Sequence, residues 1–159
     1  MGIMSPEIAQ WLRVRSLTDR VRFLGHCPQP QLKGILSRAH VMVLPSPEEG
    51  LALEIAQALA CGCPVIATEH TGARDLFTHG VEGFIVPIRS PARITQYLQK
   101  ITDDGALLEQ MSQAALQLVQ EYCKGWSVYG ENMVAAVAHV IRSKSKASNQ
   151  ATNNHGDLT

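Results

Sequence analysis

Apolar positions along the chain alternate between helical spacing and short continuous runs. Residues 6–18 set Ile8, Trp11, Leu12 and Val14 at helical intervals and predict a short amphipathic helix. Val21–Arg22–Phe23–Leu24 mixes apolar and polar positions, stops at Gly25 and predicts a short strand. Pro30 suits the first turn of a helix reaching about Ala39. Val41–Met42–Val43–Leu44 is an unbroken apolar run ended by Pro45, the pattern of a strand buried on both faces. Residues 51–61 are rich in good helix formers, and Gly62 is a natural stop. Pro64–Val65–Ile66–Ala67 reads as a second buried strand, with proline tolerated at its first residue.

Downstream, residues 72–78 predict a short helix and Gly80–Val81–Glu82–Gly83 a turn. Phe84–Ile85–Val86 predicts a strand closed by Pro87. Helices are expected over 90–101, 104–122 and 126–142, broken at Asp103–Asp104–Gly105 and Lys124–Gly125. Residues 143–159 are small and polar and read as a disordered tail. Four strands alternating with helices predict an α/β fold, a Rossmann-like parallel sheet with flanking helices. Such sheets bind ligands beyond the carboxyl ends of their strands. That rule puts the loops after Leu24, Leu44 and Thr68 on one rim. No internal repeat is present.

Composition narrows the function. A chain of 159 residues with 45% hydrophobic and 18% charged residues suits one globular domain. The 14 basic and 14 acidic residues cancel, and aromatics make up 5%. A basic stripe or stacking platform for nucleic acid is therefore not expected. Cys27, Cys61, Cys63 and Cys123 match no zinc spacing. Their number, with no secretory signal, fits a reducing cytoplasm without disulfides. No apolar run approaches the ~20 residues of a membrane span. Gly2 follows Met1, but Pro6 stands where myristoylation needs serine or threonine. The six histidines form no ligand-spaced pair, and no metal is expected.

The segment 45–68 carries the candidate chemistry. The first amides of a helix have no intrahelical partner and, with the helix dipole, attract anions. Gly50 allows close backbone approach, and Glu49 before it can accept hydrogen bonds from sugar hydroxyls. Hydroxyls and phosphates together describe a nucleotide sugar. Gln57, eight residues after Glu49, can face the same cleft if 51–61 is one helix. The same residue types also fit a solvated loop carboxylate and a surface glutamine. His26 reads as a surface loop histidine that could lie near a bound base. Asp103–Asp104 reads as a helix-start cap. Cys61 and Cys63 read as small buried thiols. Ser46 has no nucleophile-elbow pattern around it.

Pro45–Ser46, Glu49–Gly50 and Ala60–Cys61–Gly62–Cys63–Pro64–Val65 resemble, in order and spacing, the nucleotide-sugar half of glycosyltransferase family 4. Gly72–Ala73–Arg74–Asp75–Leu76–Phe77, the run from Gly80 to Pro87, the 21–25 element and Trp126–Ser127 are similar to further segments of that family. The resemblance covers about residues 6–142. It implies a partial donor-binding domain of a GT-B enzyme over 1–142, with 143–159 as its tail. It implies transfer of a hexose from an NDP-sugar (UDP or GDP), with retention, to a glycan or lipid-linked acceptor in surface polysaccharide synthesis. No metal or other cofactor is implied.

By the same resemblance Glu49 contacts the donor sugar and its reacting face. The amides of Gly50, Leu51, Ala52 and Leu53 hold sugar and diphosphate. Gln57 stands where the family has a second glutamate, on the ribose hydroxyls. Glutamine can accept one ribose hydrogen bond and donate another, but it cannot make the charge-assisted pair. The family's amino-terminal acceptor domain, and the first part of its donor domain with a basic arginine and lysine pair, have no counterpart here. Arg74 is the nearest replacement cation. The expectations are therefore a chain inactive alone, completed by its acceptor domain or a partner subunit, with peripheral membrane association open for the full enzyme. The alternatives are a non-catalytic nucleotide or nucleotide-sugar module, and a structural domain completed by a partner.

Overall fold

The structure, a computed structural model, describes residues 4–122 and, beyond them, positions 131, 134, 135, 137–139 and 142. The chain forms two compact units, Met1–Leu118 and Val119–Thr159. In the second unit the described positions of the expected 126–142 helix are helical. Trp126, Ser127, Cys123 and the 143–159 tail lie outside the described residues.

The first unit is an α/β sheet layer. Helix α1 spans Pro6–Val14 and α2 Gln29–Leu36; strand β1 is Met42–Leu44 and helix α3 Leu53–Ala60. Strand β2 is Val65–Thr68, α4 Ala73–Leu76, β3 Gly83–Val86, α5 Pro91–Asp103 and α6 Gly105–Tyr122. The three strands are parallel in the order β1-β2-β3, with Met42 opposite Val65 and Val65 opposite Gly83. The Rossmann-like parallel sheet with flanking helices is thus present, with three strands.

The fourth expected strand is absent. Val21 is extended, at φ −120° and ψ 117°, but residues 21–24 pair with no strand among the described residues. Val21, Phe23 and Leu24 remain 47%, 49% and 48% exposed. Alternating side chains make a strand only where a neighbour accepts its backbone hydrogen bonds, and among the described residues none does. The loop after Leu24 is therefore not placed on the rim by sheet pairing. For a related reason β1 is not buried on both faces. It is an edge strand, and Val43 is 36% exposed.

Central β2 is fully buried, with Val65, Ile66 and Ala67 at 0% exposure. On one face, Ile66, Phe84 and Val86 pack with Ile101 of α5 and Met111 of α6. On the other side of the chain's path, Ile55, Ala58 and Leu59 of α3 are buried, and α3 contacts β1 and β2. Gly83 is required by this packing, because a Cβ there would collide with the Val65 carbonyl of the adjacent strand. The buried carboxylate of Glu82 accepts from the Thr78 amide at 2.9 Å and holds the turn leading into β3.

Helix ends shift from the sequence reading where local groups intervene. The Ser5 hydroxyl accepts from the Ile8 amide at 3.3 Å and starts α1. The helix stops at Val14, before Ser16 at φ 54°. Asp103–Asp104 does act as a cap: Asp104 Oδ1 accepts from the Leu107 amide at 2.9 Å and opens α6. Gly83→Ala is expected to lower stability by about 3 kcal/mol, read as an earlier midpoint in urea unfolding. A midpoint unchanged from the parent would show that the strands can separate to admit the methyl group.

Candidate functional site

The loops leaving β1 and β2 are tied to each other at the carboxyl edge of the sheet. The Thr68 hydroxyl donates to the Ser46 carbonyl, and the Thr71 hydroxyl donates to the Thr68 carbonyl at 2.7 Å. The Glu49 amide donates to the His70 carbonyl at 2.8 Å and the Ala52 amide to the Thr71 carbonyl at 3.2 Å. Both threonines are buried. Each such bond contributes about 1 kcal/mol net, and an unpaired buried partner costs more. Gly72 completes the join at φ +67°, where a Cβ would stand 2.7 Å from the Gly50 carbonyl oxygen.

This join defines where α3 begins. Ala52 is extended, at ψ 99°, with its amide committed to Thr71, so the helix starts at Leu53 rather than Leu51. Of the four amides read as ligand donors, that of Ala52 is therefore already used. Those of Gly50, Leu51 and Leu53 have no acceptor among the described residues. No side chain caps the amino end of α3. Glu49 is exposed on the same loop, and its carboxylate has no partner among the described residues. An unshielded carboxylate thus stands beside free amides and the positive end of a helix.

Gln57 lies just over one turn into α3. It faces sideways, into a cleft of about 290 Å³ between α2 and α3. Leu32, Leu36 and Ala60 supply apolar lining, and Gln29, Lys33 and Cys61 the polar groups. Glu49 is not part of this lining. The two polar positions of the motif therefore occupy neighbouring surfaces: Glu49 and the free amides on the rim, Gln57 on the wall between helices. Lys33 is the functional candidate that the sequence reading passed over. Its signal was the spacing of 29, 32, 33 and 36, which share one helical face. That the face opposes Gln57 is a tertiary fact.

The remaining candidates lie elsewhere. His26 lines a separate cleft of about 520 Å³ with Arg22, Leu24, Cys27, Gln31 and Ile35 of α2, and Arg38 just beyond that helix. Arg74 pairs with Glu69 at 3.6 Å, and both line a third cleft with His79. That exposed pair contributes little to stability, but it occupies the cation that the sequence reading had nearest the rim. Among the described residues no group of three His, Cys, Asp or Glu side chains is placed to hold a metal ion. No helix of the described residues is long and apolar enough to cross a membrane.

The two central cysteines differ. Cys63 is buried, and desolvation, the largest cause, pushes its thiol up to about 11, with neighbouring Cys61 adding to the rise. Cys61 is half-buried at the end of α3, so the pair is not uniformly buried as the sequence suggested. The thiolate is the reacting form.

Residues 7–118 match the model of a family described as glycosyl transferases group 1. Among curated relatives, a D-inositol 3-phosphate glycosyltransferase of Streptomyces bingchenggensis is 30% identical over 156 residues. The match covers 98% of this chain and 33% of that protein. Among solved structures, sucrose-phosphate synthase from Thermosynechococcus elongatus superposes with a TM-score of 0.75 at 25% identity. It covers 89% of this chain and 38% of that one. The Anabaena protein HepE, solved with UDP-glucose, has the same fold, with a TM-score of 0.72 at 20% identity over 84% of this chain and 36% of its own. The chain spans about a third of the length of the curated relative.

Two outcomes are expected of this geometry. Gly72→Ala forces a side chain into a left-handed position against the Gly50 carbonyl and should cost about 1–3 kcal/mol. Hydrogen exchange should then quicken at the Glu49 and Ala52 amides; unchanged exchange would mean that the loop join does not depend on Gly72. In alkylation with iodoacetamide at about pH 8, below an ordinary thiol's value, Cys61 should label well before Cys63. Peptide mass mapping with equal labelling of the two would contradict the burial of Cys63.

Proposed function

The chain belongs to the glycosyl transferases of group 1, and we propose that it is the nucleotide-sugar-binding part of a retaining family 4 enzyme. The observation that carries this reading is the cluster at the carboxyl edge of β1 and β2. There the unbonded amides of Gly50, Leu51 and Leu53 stand beside the unpaired Glu49 carboxylate. The amides and the amino end of α3 take the diphosphate, as helix amino-termini take anions. Glu49 accepts hydrogen bonds from the hexose hydroxyls and faces the reacting side of the sugar. Gln57, on the wall of the α2–α3 cleft, takes the ribose hydroxyls. The donor is a UDP- or GDP-hexose, the acceptor a glycan or lipid-linked sugar of surface polysaccharide synthesis, and the setting the cytoplasm. The fold neighbour solved with UDP-glucose supports a donor of this class.

Turnover needs more than this chain supplies. A departing diphosphate must be stabilised by preorganised positive charge, and Arg74 is held by Glu69. Strand β1 has one strand neighbour, and residues 21–24 have none among the described residues. An acceptor domain, or a partner subunit continuing the sheet, completes the enzyme, and the chain alone is inactive. The neutral amide at position 57 favours one other reading, a nucleotide-binding module without turnover.

Isothermal titration of UDP, GDP and ADP tests the site. One of them should bind, and Glu49→Ala should weaken binding of the matching nucleotide sugar by about 10- to 100-fold, the worth of hydrogen bonds to a charged group. Absence of binding by all three overturns the reading. Release of free sugar from a UDP- or GDP-hexose by the chain alone overturns its inactivity.

A further inference from the structure

The pairing of β1 with β2 ends at Leu44, and Pro45 after it has no amide to extend the ladder. At that level a side chain takes over. The Thr68 hydroxyl donates to the Ser46 carbonyl, and the Thr71 hydroxyl donates to the Thr68 carbonyl at 2.7 Å. The two threonines are 1% and 0% exposed. Packing alone would not select the Thr68 hydroxyl. The other three residues of β2 are apolar, and Thr68 stands in register with Val86 of β3. Valine has the β-branched shape of threonine and would suit the same surroundings. What the hydroxyl adds is a hold on the loop that carries Glu49. Among the described residues it makes the single hydrogen bond of positions 45–48, three residues before that carboxylate.

We propose that Thr68 is a positioning residue for the donor site, its buried hydroxyl holding the 45–52 loop so that Glu49 is aimed before a ligand arrives. The inference rests on the donor site proposed above. Thr68 itself touches no ligand and acts through the Ser46 carbonyl. The Thr71 hydroxyl, on the Thr68 carbonyl, steadies the chain from the other side. The physical logic is preorganisation: a loop already ordered in its binding arrangement loses less freedom when the ligand binds. A paired buried hydroxyl adds little to the stability of a whole domain. Its effect is therefore concentrated on the segment it ties down. Removing it should loosen Glu49 and the free amides of Gly50 and Leu51 together.

The test titrates UDP-glucose, UDP-galactose and GDP-mannose calorimetrically into the whole chain and its variants. The sugar nucleotide that binds should bind about tenfold more weakly to Thr68→Val, equivalent to about 1.4 kcal/mol. Thr68→Ser, which keeps the hydroxyl, should restore the affinity. Thr102→Val, which removes a hydroxyl bonded within α5, should leave it intact. The decisive readout is coupling: Glu49→Ala should weaken binding far less in the Thr68→Val background than in the parent. A merely structural threonine would lower the urea midpoint and leave that coupling at zero. Unchanged affinity in Thr68→Val, no rescue by serine, or an equal effect of Glu49→Ala in both backgrounds overturns the inference. Failure of Thr68→Val to fold, with Thr68→Ser folded and binding as the parent does, also overturns it, as the mark of a purely structural hydroxyl. In each of these cases Glu49-dependent binding by the parent leaves the donor-site reading standing. Binding of none of the three, or binding indifferent to Glu49→Ala in the parent, removes both.

Discussion

Everything at the candidate site depends on the hydrogen-bonded join between the loops that leave β1 and β2. Thr68 reaches the Ser46 carbonyl, and the His70 and Thr71 carbonyls receive the amides of Glu49 and Ala52. The strands themselves are short, three and four residues, and β1 lies on the edge of the sheet. Without the join, the segment 45–52 would be a free loop between an exposed strand and a helix. With it, the loop is fastened to the chain leaving the most buried strand of the fold. The rigidity of the core is thereby passed to the amides beside Glu49, and the start of α3 is set two residues later than its sequence suggests.

The join also sorts the site into two surfaces. By using the Ala52 amide, it turns the first turn of α3 so that Gly50, Leu51 and Leu53 keep their amides free at the rim. One turn further, Gln57 looks between helices towards α2. The nucleotide sugar proposed above would span both surfaces. Charge follows the same division. Among the described residues neither Glu49 on the rim nor Lys33, which lines the cleft, has an ion-pair partner. The arginine on α4 pairs with Glu69, one residue past β2.

Much of this was legible beforehand, and the failures have physical causes. Continuous apolar runs found β1, β2 and β3, because the strands of a parallel sheet covered by helices are predominantly apolar. Helix formers bounded by Gly62 found α3, and an aspartate pair found the start of α6. The run at 21–24 was misread because its alternation reports a tendency to be extended, while a strand also needs a neighbour. Val41–Met42–Val43–Leu44 looked doubly buried for the same reason: apolar character does not say whether a strand is central or at an edge. At the site, Glu49, Gly50 and Gln57 were singled out by the resemblance to glycosyltransferase family 4. The loss of the Ala52 amide could not be, since its acceptor lies nineteen residues away on another loop.

The sequence by itself determined the kind of layer, the order of its elements and the residue types offered at the junction after β1. Those are properties of nearest neighbours and of periodicity, and local chemistry suffices to write them. The tertiary structure decided which amides stay free, that Gln57 and Lys33 line one cleft from two helices, and that Arg74 pairs with Glu69. Each of these turns on which groups from distant segments meet, and a hydrogen bond or ion pair exists only when both partners arrive at the same point in space.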